Sequence, residues 1–141
     1  MKIEQADTDT ARQACFDIRR AVFIEEQQID EAEEWDACDA DALHYLAFDD
    51  TGPAGTARVI AKGDSAKIGR VAVLASHRGT GLGARIMQML MQDAAARGFT
   101  QAELESQVYA IAFYGRLGFV AEGPEYDDGS GILHRLMRAK L

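Results

Sequence analysis

Residues 78–83 read Arg78-Gly79-Thr80-Gly81-Leu82-Gly83, and this stretch decides how the rest of the chain is read. It follows a short apolar strand pattern, Ile68 to Leu74, and opens into a helix whose apolar face carries Ile86, Met87, Leu90 and Met91. Glycines at such a turn let the main chain approach an anion closely, because no Cβ stands in the way. The free amides of the first helical turn then point at that anion from the positive end of the helix dipole. The arrangement predicts a phosphate-bearing cofactor. A plain strand-to-helix turn, with glycines serving geometry alone, is the other reading of the loop taken by itself.

Spacing narrows the cofactor. A nucleoside-triphosphate loop needs Lys and Ser/Thr after its last glycine, whereas Ala84 and Arg85 follow Gly83. The dinucleotide fingerprint G-x-G-x-x-G is also missed, since the order here is Gly79-x-Gly81-x-Gly83.

The chain has 141 residues, room for one core and therefore one domain over residues 1–141. No apolar run is long enough to cross a bilayer, and Met1-Lys2-Ile3-Glu4-Gln5 lacks the apolar stretch of a signal peptide, so a cytoplasmic location is expected. Cys15 falls in a helical pattern as a small core residue, and Cys38 lies among carboxylates that disfavour a thiolate, so neither is read as a nucleophile. The formal net charge of −8 argues against nucleic acid as a partner. Residues 25–41 hold nine acidic and no basic side chains. They read as a solvated acidic loop, or as a field that draws a cationic amine. His44, His77 and His134 have no ligand spacing, and Asp39-Ala40-Asp41 lacks the glycine and closing Glu of a calcium loop, so no metal is expected.

Local patterns predict the elements. Met1–Ala6 is a first strand; Thr10-Ala11-Arg12-Gln13 fits a capping box that starts a helix running to about Glu26. Residues 27–41 are irregular or briefly helical, with Trp35 as their apolar anchor. Leu43–Phe48 and Gly55–Ala61 are strands joined by a turn at Asp49–Pro53, and Lys62-Gly63-Asp64 turns the chain into the strand that ends at Leu74. The helix after the glycines stops near Arg97, with Gly98 as its left-handed cap. Thr100–Glu105 is a strand, Tyr109–Leu117 a short helix, and Phe119–Ala121 and Ile132–Arg138 are strands joined through Asp127-Asp128-Gly129. The whole is an α/β (α+β) domain with parallel pairing around the glycine loop.

A second motif lies downstream: Gln107-Val108-Tyr109-Ala110-Ile111-Ala112-Phe113-Tyr114, then Gly118-Phe119. With Arg78-x-x-Gly81-x-Gly83 it resembles the paired signature of the GNAT superfamily of acetyl-CoA-dependent N-acyltransferases. Gln107 stands where that family usually has Asn, a departure bearing on cofactor contacts more than on chemistry. Val22-Phe23-Ile24-Glu25-Glu26-Gln27, Glu34-Trp35-Asp36, Asp39, His44 and Gly131-Ile132-Leu133-His134 are similar to the ElaA/YjcF-type bacterial branch, which extends the resemblance over nearly the whole chain.

The resemblance implies a mixed central sheet of six to seven strands with about four helices, and acetyl transfer from acetyl-CoA to a primary amine of a small molecule. It implies Tyr114 as the acid that protonates the departing sulfur, main chain of Val71, Ala72 and Val73 beside the pantetheine arm, and an oxyanion donor near Val73. The loop Arg78, Gly79, Thr80, Gly81, Leu82, Gly83 and Ala84 would hold the pyrophosphate, with Arg78 or Arg85 adding charge and Gln107, Ala110 and Phe113 completing the contacts. No strand carboxylate precedes the loop, where Gly69-Arg70 stands, so the base is sought at Glu26, Glu105 or His134. His44 and His134 alternate with apolar residues, as packed histidines do. An amino-sugar acetyltransferase of the glucosamine-6-phosphate type, with Arg19, Arg20 and Arg70 lining its pocket, and a non-catalytic acyl-CoA-binding module are the alternatives. Similar proteins commonly pair as homodimers.

Overall fold

The computed structural model covers residues 1–141. Strand β1 (Lys2–Gln5) leads to helix α1 (Asp9–Arg19), which continues as a π-helical segment over Arg20–Glu26. A single-turn helix α2 (Glu31–Glu34) and a 3₁₀ turn (Ala37–Ala40) precede β2 (Leu43–Asp49), β3 (Gly52–Lys62) and β4 (Ser65–Val73). After the glycine loop come α3 (Leu82–Ala96), β5 (Gln101–Gln107), a 3₁₀ turn (Val108–Ala110), α4 (Ile111–Gly115), β6 (Val120–Asp127) and β7 (Leu133–Lys140). The seven strands form one sheet in the order β1-β2-β3-β4-β5-β7-β6. Every pairing is antiparallel except β4 with β5, the pair that α3 connects.

Strand alternation sorts side chains to two faces. On β2, Tyr45 and Ala47 join the larger core under α3, with Ile86, Met87 and Leu90, while Leu46 joins the smaller core under α1, with Cys15, Ile18 and Val22. On β4 that parity changes partway. Ala66 and Ile68 face α3, yet Ala72 faces α1, and Val71 and Val73 turn back toward the α3 side. The register accounts for it: Gly69 pairs with Arg58 but Ala72 pairs with Thr56, so β4 holds one residue more than β3 across this stretch. This is a β-bulge, and Arg70 takes its left-handed backbone at φ +50°.

The bulge bends β4 away from its parallel neighbour. Pairing with β5 runs from Ser65↔Gln101 to Ile68↔Leu104 and stops there, five residues short of the end of β4. The sheet is thereby split between the C-terminal ends of two parallel strands, where open α/β sheets place their ligands.

Several boundaries differ from expectation. The cap of α1 is Thr8, whose hydroxyl accepts from the Ala11 amide at 3.1 Å, rather than Thr10. The helical run does reach Glu26, but its last turns are π-helical, with the Gln27 amide reaching back to the Val22 carbonyl. The expected helix Tyr109–Leu117 opens as a 3₁₀ turn and ends at Gly115. Phe119 is a buried core residue rather than the start of a strand; β6 runs instead to Asp127 through Gly123-Pro124, which an edge strand with a bulge accommodates.

Candidate active site

A cleft of about 620 Å³ occupies the split. Val71, Ala72 and Val73 of β4 and Leu104, Glu105, Ser106 and Gln107 of β5 form its two sides. Because the gap passes through the sheet, the cleft touches both layers: Tyr114 and Ala110 from the α4 side, and Val22, Phe23 and Glu26 of the π-helical segment with Gln27 at its end on the other. The Gln107 side-chain amide donates to Gln27 Oε1 at 2.9 Å, joining the two walls.

At the mouth lies the glycine loop. Gly79 and Gly81 have φ of +76° and +82°, a conformation that disfavours side chains, and Gly81 caps α3. The first main-chain bond into the helix is Arg85 N to Gly81 O at 3.1 Å, so the amides of Gly79 to Ala84 have no main-chain acceptor. A Cβ on Gly83 would come within 3.3 Å of the Phe113 ring. Gly79, Thr80 and Gly81 are exposed. These orphaned donors on a close-approach backbone fit a pyrophosphate, and the unpaired end of β4 fits an extended arm running beside it.

Tyr114 projects from α4 into the cleft. Its ring packs edge-to-face on Phe113 at 4.9 Å and on Phe119 at 6.0 Å, and its hydroxyl forms no hydrogen bond within the chain. Burial pushes its phenol well above the ordinary range, so the proton stays on the oxygen at neutral pH.

The two carboxylates named from sequence are both at the cleft and both engaged. Glu26 receives two bonds from the Arg78 guanidinium, at 2.6 and 2.8 Å, and that partner holds its pKa below the usual range. Arg78 also donates from Nε to the Val73 carbonyl at 2.9 Å, so it braces the loop against β4. Glu105 accepts from the Tyr126 hydroxyl at 2.7 Å and lies 3.8 Å from Lys67 Nζ.

The acidic block divides: Glu25, Asp30, Glu33 and Asp41 are exposed and form no ion pair, as a solvated loop would have them, whereas Glu34, Asp36 and Asp39 are held by arginines. Glu34, 3% exposed, sits between Arg19 at 2.8 Å and Arg70 at 3.0 Å. Asp36 takes two bonds from Arg58, both 2.8 Å, and Asp39 is shared between Arg19 and Arg58, 2.8 Å from each. Burial alone would raise Asp39, but the two arginines bring it below its ordinary value. This lattice ties the 31–40 segment to α1, β3 and β4. Of the three arginines of the alternative sugar-phosphate pocket, Arg19 is fully buried and paired, Arg20 is bound to Glu31 outside the cleft, and Arg70 lines the cleft while engaged by Glu34.

His44 is the packed histidine expected, its Nε2 2.9 Å from the Asp39 carbonyl and its ring against Phe16. His134 differs, since it lines the cleft beside Asp128 and Ser130 of the β6–β7 turn. Ser130 and Lys67 carried no sequence signal, and Asp128 only that of a turn, because strand pairing far along the chain brings them to the site.

The profile described as the acetyltransferase (GNAT) family matches residues 12–119. The chain is 33% identical to an uncharacterised N-acetyltransferase of Bacillus subtilis, YjcF, over 97% of this chain and 98% of that one. A crystal structure of an acyl-CoA N-acyltransferase from Pseudomonas aeruginosa superposes with a TM-score of 0.85 at 30% identity, covering 98% of this chain and 97% of that one. Escherichia coli ElaA shares the fold, with a TM-score of 0.86 at 23% identity over 98% of both chains.

Proposed function

The chain belongs to the GNAT acetyltransferase family, and from that membership we propose that it moves an acetyl group from acetyl-CoA to the primary amine of a small molecule by direct attack. The observation that carries this reading is the split between β4 and β5, flanked by the orphaned amides of Gly79–Ala84 and by the Tyr114 hydroxyl. Acetyl-CoA supplies a thioester carbonyl that is already electrophilic, so the protein has only to hold, orient and move protons.

Residues divide by task. Amides of the loop from Gly79 to Ala84 grip the pyrophosphate, and Phe113 supports that loop from below Gly83. Val71, Ala72 and Val73 guide the pantetheine arm along the free edge of β4, with a main-chain donor near Val73 facing the carbonyl oxygen. Gln107 and Ala110 bound the slot from β5 and the following turn. Tyr114, protonated at neutral pH and within the cleft, gives its proton to the leaving sulfur.

Support for an amine that is small comes from the cleft itself, whose lining includes the π-helical segment, Glu34 of α2 and the β6–β7 turn. A phosphorylated sugar is disfavoured, because the arginines that would meet its phosphate are already paired with Glu34, Asp36 and Asp39. The experiment is turnover of acetyl-CoA with a panel of primary amines, read as released thiol. Amine-dependent release is expected; tight CoA binding with no release for any amine would leave only a binding module.

A further inference from the structure

One wall of the cleft holds a histidine–carboxylate pair. His134, 8% exposed, sits near the start of β7 and lines the cleft with Asp128 and Ser130. Its Nδ1 lies 2.7 Å from the Ile132 carbonyl oxygen. A carbonyl only accepts, so Nδ1 carries the hydrogen and the neutral ring keeps its lone pair at Nε2. Nε2 faces Asp128 Oδ2 at 3.5 Å, too far for a good hydrogen bond and, in the neutral ring, two acceptors with no proton between them. The Tyr126 ring stacks on the imidazole with centroids 6.2 Å apart, which fixes its plane.

We propose that His134 is the base of the acetyl transfer: the acceptor's ammonium group docks between His134 Nε2 and Asp128 Oδ2 and gives a proton to Nε2. The proposal rests on the acetyl-transfer reading above and adds the acceptor's binding point to it. The protons balance. One leaves the ammonium for Nε2, and the freed amine lone pair forms the C–N bond as the C–S bond breaks. The sulfur takes the Tyr114 proton, and the second proton lost by the nitrogen restores the phenol. The imidazolium then returns its proton to solvent, stabilised meanwhile by Asp128 in the positioning role.

Surrounding charge favours a cationic amine. Asp128 faces the ring from the turn, and Tyr126 from β6, with Glu105 of β5 behind the phenol. Gln107, opposite on β5, is neutral, and Glu33 of α2 approaches the same turn at Gly129. Lys67 answers Glu105 from β4. The excess is negative, which draws an ammonium and repels a phosphate.

Neither Glu26 nor Glu105 competes well for the role. Glu26 is locked to Arg78 at the loop, and Glu105 is occupied by the Tyr126 hydroxyl.

The test pairs kinetics with spectroscopy. With acetyl-CoA and putrescine, lysine methyl ester, glucosamine or glucosamine 6-phosphate, kcat/KM should fall on the acid side for the parent protein. His134→Gln should lower kcat/KM about 100-fold or more and abolish that acid-side fall, with CoA affinity unchanged. Asp128→Asn should raise KM for the amine more than it lowers kcat. A His134→Gln variant that keeps both the rate and the pH profile overturns the proposal. If no amine turns over, the acetyl-transfer reading fails separately, and nitrogen-15 NMR of the His134 ring still decides this one. A hydrogen on Nδ1 and a shift of Nε2 when putrescine is added to the CoA complex support it; a hydrogen on Nε2, or no shift, overturns it.

Discussion

Tyr114 is held in place by packing alone, between Phe113 and Phe119, with its hydroxyl left unbonded. Removing that oxygen therefore disturbs little else. Tyr114→Phe should lower kcat about 100-fold or more while the dissociation constant for CoA stays the same, measured by steady-state kinetics beside equilibrium binding. Gly83 makes the opposite kind of demand, for space rather than chemistry. Its absent Cβ leaves the Phe113 ring 3.3 Å from where that atom would be. Gly83→Val should push the ring aside, shift the loop amides and weaken CoA about tenfold or more, equivalent to about 1.4 kcal/mol. Both residues were legible in the sequence because each sits in a contiguous motif. Asp128 was legible only as part of the Asp127-Asp128-Gly129 turn, since the pairing of β6 with β7 is what brings it to the site.

At the scale of elements, the bulge in β4 and the ion lattice beneath it act together. Local propensity would give the left-handed backbone to Gly69, yet Arg70 adopts it. Its guanidinium is held by the Glu34 carbonyl at 2.9 Å and by the Glu34 carboxylate, a tertiary hold that overrides the local preference. The strand was therefore visible in the sequence while its bend, and so the cleft, was not. The acidic run at 31–40 misled for the same reason: its partners Arg19, Arg58 and Arg70 come from three other elements. Arg19→Met would take from buried Glu34 and half-buried Asp39 the cation they share, leaving Arg70 to the one and Arg58 to the other. It should lower unfolding stability by about 3–5 kcal/mol, read from urea melts. A loss of less than 1 kcal/mol would show that the lattice is not what anchors α2 to the sheet.

For the molecule as a whole, acid should be the weak side. Asp36 is held low by Arg58, Asp39 by Arg19 and Arg58 against its burial, and Asp49 at about 2 by Thr51 and His77. Each is lower folded than unfolded, so its contribution is complete above the unfolded value of about 3.9 and disappears as pH falls through the folded one. Glu34 works the other way, since burial raises it, and its protonation partly offsets the loss. Urea midpoints should thus be steady near neutrality and fall between about pH 4 and pH 2; a midpoint that rises over that interval would mean Glu34 outweighs the three aspartates. The glycine loop, the Phe-Tyr pair and the strand count were readable in advance because they are local, whereas the split sheet needed seven strands assembled. That split is the claim on which function depends, and the direct measurement is equilibrium dialysis of CoA against the parent protein and Gly83→Val. One CoA bound saturably per chain, and distinctly weaker binding by the folded variant, is the predicted result. No saturable binding by the parent, or equal binding by both, would contradict it.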